Sequence, residues 1–154
     1  MKVHPVAANI DDDNNEHCNI KVVSVSQKDH YMVEGDQVYA GQHIIVDFFK
    51  AKYLDDLDLM RQAFKNAIQL ANATLLHIHL HHFTPNDGVS GVAVLAESHI
   101  SVHTWPERDF AAFDIFMCGD AKPMAALDEL KRVFKPESVK INVIRRGLVS
   151  DEMV

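Results

Sequence analysis

The stretch GVSGVAVLAESHISVHTWPERDFAAFDIFMCG, from Gly88 to Gly119, reads as three short apolar strands: Val89–Ala96, Ser101–Trp105 and Phe110–Cys118. Too few residues separate them to hold helical crossovers, so the strands are expected to run antiparallel. The polar residues set into this stretch are not ordinary turn chemistry. A Glu97-Ser98 pair interrupts an apolar run, His103 follows five residues later, and Cys118 closes the segment. A carbonyl, a hydroxyl, an imidazole and a thiol are thereby placed where one sheet could gather them.

Working outward toward the C-terminus, Gly119 to Pro123 breaks the chain. Met124, Leu127, Leu130 and Phe134 then recur at helical spacing, and Pro136 ends the helix. Val139, Ile141 and Val143 alternate as a last strand. Toward the N-terminus, Thr84-Pro85-Asn86-Asp87-Gly88 is a turn by composition. Before it, Thr74–Phe83 alternates strictly, with Leu76, Ile78 and Leu80 on one face and His77, His79 and His81 on the other. An amphipathic helix carries Leu57, Met60, Phe64, Ala67, Ile68 and Ala71, with Asp55 and Asp56 at its dipole-favoured start. Gly41 opens a strand over His43–Phe49 whose Ile44-Ile45-Val46 run is expected to be buried. Tyr31–Tyr39 flanks Glu34-Gly35-Asp36 as a small hairpin, and Lys21–Ser26 alternates weakly. Residues 1–18 are polar and acidic and read as a flexible arm, in which His17 and Cys18 are solvated.

The order is strands, helix, several strands, helix, strand. Two helices over one face of a mainly antiparallel sheet make a two-layer α+β sandwich. The histidine-bearing face then needs a cover, and a second copy placed sheet to sheet is the simplest one.

Bulk composition narrows the classes. The chain has 154 residues, 47% of them apolar, enough for one domain with a filled core. A net charge of −7 with no basic cluster excludes a nucleic-acid surface. Two cysteines, Cys18 and Cys118, make no disulfide framework. The first residues lack the apolar run of roughly 7–15 residues of a signal peptide. No window approaches the ~20 apolar residues of a membrane span. The expectation is a cytoplasmic protein without membrane partners.

A Glu-Ser peptide bond in a strained turn has a reactive option. The Ser98 hydroxyl can attack the Glu97 carbonyl and move the acyl group from nitrogen to oxygen. β-Elimination and hydrolysis then leave a fragment ending at Glu97 and a new chain beginning with a pyruvoyl group. That ketone can form a Schiff base with an amine substrate and act as an electron sink, which suits decarboxylation of an amino acid. The acyl shift needs an oxyanion stabilised. His103 is a candidate base for the α-proton of residue 98, and the Cys118 thiol a candidate acid toward the substrate carbon. Each residue also has an inert reading: Ser98 a strand-end serine, His103 a satisfied polar residue, Cys118 a small buried hydrophobe. A serine hydrolase does not fit, because Gly88-Val-Ser90-Gly91 is not the G-x-S-x-G elbow. A thiol hydrolase built on Cys118 and His103 stays compatible with the residues. His77, His79 and His81 could converge on a metal, although lining a sheet-to-sheet interface is the simpler role and no metal is expected.

The runs Gly88-Val-Ser-Gly, Glu97-Ser-His-Ile-Ser-Val-His-Thr-Trp-Pro-Glu107 and Ala111-Ala-Phe-Asp-Ile-Phe-Met-Cys-Gly119 closely resemble the prokaryotic S-adenosylmethionine decarboxylase proenzymes. The similarity extends from about Tyr39 to Gly147 and includes Gly41-Gln-His-Ile and Leu80-His-His-Phe83. It implies residues 1–38 as an N-terminal extension and 39–154 as a decarboxylase domain that cleaves itself between Glu97 and Ser98. Ser98 becomes the pyruvoyl cofactor. Ser90 and His103 take processing roles, and Cys118 is the proton donor in catalysis. Phe83 matches an aromatic that stacks on the substrate adenine, and Glu107 a carboxylate that holds the ribose hydroxyls. The family resemblance also implies a homodimer of cleaved protomers with sites at the interface.

The activity so implied is conversion of S-adenosylmethionine to its decarboxylated form and CO2, for spermidine biosynthesis. A pyruvoyl-dependent arginine or ornithine decarboxylase is the alternative, since Ser98, His103 and Cys118 do not choose between amino acids. Phe83 and Glu107 favour a nucleoside. A processing-dead regulatory partner is the non-enzymatic alternative, and intact Glu97, Ser98, His103 and Cys118 argue against it.

Overall fold

The computed structural model describes residues 30–149. The expected arm, the Lys21–Ser26 alternation, His17 and Cys18 lie outside the described residues. From His30 onward the elements are β1 (Met32–Glu34), β2 (Gln37–Phe49), α1 (Leu57–Leu70), β3 (Leu75–His82), β4 (Val89–Leu95), β5 (Ser98–Trp105), β6 (Phe110–Met117), α2 (Pro123–Phe134) and β7 (Ser138–Leu148). A short 3-10 turn, Pro106–Arg108, links β5 to β6.

Every strand pairing is antiparallel. β2 pairs β6 along one edge and β7 along the other, and β5, β4 and β3 continue the sheet beyond β6. β1 and β2 form the expected hairpin, turning at Gly35 with φ 58°. β2 runs through residues 38 and 39 without a break, so one strand spans the boundary expected between extension and domain.

Both helices lie on one face. α1 begins at Asp56, whose side chain accepts the Leu59 N–H at 2.9 Å, and the helix buries Met60, Ala63, Phe64, Ala67 and Ile68. α2 opens with Pro123 at its first turn and closes at Lys135, in the left-handed region with φ 45°. It buries Leu127, Leu130 and Phe134. These side chains meet Ile44, Val46, Phe48, Ile100, Val102, Phe113 and Ile115 from the sheet. Thr104 is buried among them and fully satisfied: its hydroxyl donates to Leu54 O at 2.9 Å and accepts from Val89 N at 2.7 Å. Glu129, also buried, receives Arg132 through two bonds of 2.7 and 2.8 Å, and Asn66 of α1 at 3.3 Å.

Among the described residues nothing covers the opposite sheet face. It carries His43, Ile45 and Phe49 from β2, Val94 from β4, His99, Ser101, His103 and Trp105 from β5, and Phe110, Asp114 and Phe116 from β6. Ile45, Phe49, Val94, Trp105 and Ile144 are 36–42% exposed.

Three expectations change in detail. β5 begins at Ser98 rather than Ser101, so Ala96-Glu97 is the whole turn between β4 and β5. The Ile44-Ile45-Val46 run is not buried throughout: Ile44 and Val46 face the helices, while the pleat turns Ile45 to the open face. The alternation of β3 is not strict either. Leu75 pairs Leu95 and His77 pairs Val94, leaving Leu76 as a bulged extra residue, 64% exposed, and Leu75 takes the core-facing place. Among the described residues no helix is long and apolar enough to cross a membrane.

Candidate active site

The turn between β4 and β5 is two residues long and places Glu97 at φ 64°. That is the left-handed region, costly for a side-chain-bearing residue and normally given to glycine. Ser98, the next residue, is 9% exposed, and its Oγ lies 3.7 Å from Cys118 Sγ. The Cys118 thiol donates to the carbonyl oxygen of Glu97 at 2.9 Å. Cys118 reaches that position because β6 pairs β5 up to His99↔Phe116 and the chain then turns at Gly119, with φ 61°. The acyl group of Glu97, the hydroxyl of Ser98 and the thiol of Cys118 are therefore within contact of one another.

The imidazole of His103 is not with them. Ser98 and His103 occupy opposite ends of β5, five residues apart, or roughly 16 Å at a strand rise of about 3.3 Å per residue. They also point to opposite faces. Ser98 shares the buried side with Ile100, Val102 and Thr104, whereas His103 is on the open face with Trp105. His103 instead pairs across the strands with Ser90, whose Oγ lies 2.9 Å from its Nδ1. Phe83 and Glu107 belong to this second end. Phe83 follows β3, is 48% exposed, and meets His81 edge-on with ring centroids 4.5 Å apart. Glu107 is exposed in the 3-10 turn just after Trp105. The expected site residues thus divide into two groups at opposite ends of the sheet: Glu97, Ser98 and Cys118 at one, Ser90, His103, Phe83 and Glu107 at the other.

An open depression of about 640 Å³ adjoins Ser98, with Glu97, Val94, His99, Phe116 and Arg146 in its wall. Arg146 Nη1 lies 3.3 Å from His43 Nδ1, and His43 Nε2 lies 3.3 Å from Asp114 Oδ1, to whose other oxygen Ser101 donates at 3.3 Å. A guanidinium can only donate, so His43 Nδ1 accepts and Nε2 carries the proton toward Asp114. Burial pushes the pKa of His99 below its ordinary value, against an opposing pull from Asp114. Sequence reading passes over Arg146, His43, His99 and Asp114. Their only signal there is period-two placement on four separate strands, and the pairing of those strands is what brings them together.

His77 and His79 are exposed on the open face of β3, and His81 stands beside Phe83. No group of three or more His, Cys, Asp or Glu side chains converges among the described residues.

The two-layer sandwich, with Cys118 set against the Glu97-Ser98 turn, has the fold of a decarboxylase. The chain belongs to the S-adenosylmethionine decarboxylase family, whose model matches residues 42–147. It is 38% identical over 112 residues to the S-adenosylmethionine decarboxylase proenzyme of Thermomicrobium roseum, covering 72% of this chain and 97% of that protein. It is 42% identical over 114 residues to the proenzyme of Methanococcus maripaludis, covering 72% of this chain and 93% of that one. The structure matches that of the adenosylmethionine decarboxylase from Aquifex aeolicus with a TM-score of 0.67 and 32% identity, over 73% of this chain and 95% of that one.

Proposed function

We propose that the protein cleaves itself between Glu97 and Ser98 and then decarboxylates S-adenosylmethionine. The observation that carries this reading is the Cys118 thiol on the carbonyl oxygen of Glu97, beside the Ser98 hydroxyl, within the family match. A donor on that oxygen polarises the carbonyl and stabilises the charge that develops when Ser98 Oγ attacks. The left-handed φ of Glu97 adds ground-state strain that cleavage releases. Attack forms a C–O bond and breaks the C–N bond, leaving an ester. A base then takes the α-proton of residue 98, the Glu97 carboxylate departs, and hydrolysis releases ammonia. The pyruvoyl group left on residue 98 supplies an electron sink for loss of CO2 from an amino acid.

His103 of the same chain lies roughly 16 Å away along β5, out of reach for that base. We therefore assign the base to a second copy. Two open faces apposed about a twofold axis bring the Ser98 end of one sheet to the His103 end of the other, and each chain supplies half of each site. Ile45, Phe49, Val94, Trp105 and Ile144 provide the apolar surface for such a contact. In this arrangement Ser90 orients His103 through its hydrogen bond, Phe83 stacks on adenine, Glu107 accepts from the ribose hydroxyls, and Cys118 returns a proton to the substrate carbon.

Intact mass and turnover of one purified sample test the reading. Two chains are expected, residues 1–97 and 98–154, the second without a free α-amino group, with Ser98→Ala remaining single. Labelled S-adenosylmethionine should release CO2, and labelled arginine and ornithine should not. A wild-type chain that stays full length on long incubation overturns the processing. Release from arginine or ornithine alone overturns the substrate.

A further inference from the structure

We infer that His30, ahead of the family match, is a positioning residue for self-cleavage, acting by holding Glu97 and the Cys118–Gly119 turn together. The inference rests on cleavage at Glu97–Ser98 as proposed above. The family match begins at residue 42, twelve residues beyond His30. Yet two contacts from this one residue close on the turn proposed for cleavage. Its ring Nδ1 lies 3.4 Å from Glu97 Oε2, and its carbonyl oxygen accepts the Gly119 N–H at 2.7 Å.

Gly119 directly follows Cys118, whose thiol donates to Glu97 O. The contacts therefore form a closed ring: the Glu97 side chain to His30, the His30 main chain to Gly119, Gly119 to Cys118 through the chain, and the thiol back to Glu97. Loosening the ring at His30 widens the range over which thiol and carbonyl can separate, and an acyl shift is sensitive to that distance. The hairpin that carries His30 is itself anchored. Arg145 of β7 donates to Glu34 at 2.8 and 3.2 Å and to Gln37 at 2.8 Å, and Tyr39 donates to Glu34 at 3.1 Å. The paired side chains of His30 and Glu97 are 56% and 54% exposed, so removing the pair leaves the core untouched.

The test is the time course of self-cleavage of freshly made full-length chain, followed by intact mass. An exposed pair of this kind corresponds to a change of roughly two- to five-fold, so His30→Ala should slow cleavage by that factor. His30→Gln keeps a donor at similar reach and should restore most of the rate. Turnover per cleaved chain should stay at the wild-type level in both. In a Glu97→Ala background, His30→Ala should have no further effect on cleavage. Wild-type cleavage by His30→Ala, or equal slowing with and without Glu97, overturns the role of His30 while leaving cleavage itself standing. A wild-type chain that does not cleave removes the underlying reading instead.

Discussion

Cys118 Sγ lies 2.9 Å from the carbonyl oxygen of Glu97 and 3.7 Å from Ser98 Oγ, twenty and more residues away along the chain. The thiol therefore touches the carbonyl of the bond whose cleavage is proposed above. A residue expected to serve the decarboxylation is in place to serve the proposed self-cleavage as well.

Cys118→Ala should slow self-cleavage by about ten-fold or more, the scale of losing one donor to a developing oxyanion. Cys118→Ser, which keeps a donor, should lose less. Intact-mass time courses measure both, and a Cys118→Ala chain that cleaves as fast as wild type shows that the contact is passive.

Ser98→Ala and His103→Ala chains should each remain uncleaved alone. Co-expressed, they should yield cleaved His103→Ala chain, because its Ser98 meets the intact His103 of the other copy. Distinguishable tags and mass spectrometry identify which chain is cut. Absence of any cut chain in the mixed sample contradicts a site built from two copies.

Phe83→Ala should lower kcat/KM for S-adenosylmethionine by roughly ten- to a hundred-fold, from loss of stacking worth ~1–3 kcal/mol. Self-cleavage should proceed normally, since the Phe83 ring packs on His81 and takes no part in the Ser90–His103 pair. Steady-state kinetics on fully cleaved enzyme settle the point; an unchanged kcat/KM removes Phe83 from the substrate site.

Glu129 carries a pH dependence of stability. The Arg132 guanidinium holds its carboxyl below the usual range against the smaller raising effect of burial, and Asn66 lowers it further. A depressed folded pKa stabilises above the unfolded value of about 4.3, and that contribution is lost as pH falls through the folded value. Glu129→Gln should cost about 1–3 kcal/mol at pH 7. The gap to wild type should narrow as pH falls below the unfolded value. Urea unfolding at pH 7 and at successively lower pH measures this, and an equal gap throughout rules out the ionised pair as its source.

Local pattern alone was enough for most elements. The helices at Leu57–Leu70 and Pro123–Phe134 follow from apolar residues three and four apart, because only a helix turns that spacing into one face. The β4–β5–β6 meander follows from short connections, which leave no room for a crossover. Glu97-Ser98 also stands out locally, since cleavage needs adjacent residues. What the chain did not declare is anything set by pairing across strands. Leu76 breaks its alternation because β3 must bulge to keep register with β4, a fact held in the partner strand and not in β3. The Arg146–His43–Asp114 network and the His30 contacts join residues more than sixty positions apart. Above all, residue spacing cannot distinguish Cys118, twenty positions from Ser98 and in contact with it, from His103, five positions away and out of reach. A strand rises about 3.3 Å with every residue, so nearness in sequence carries His103 away, while the return of β6 beside β5 carries Cys118 back.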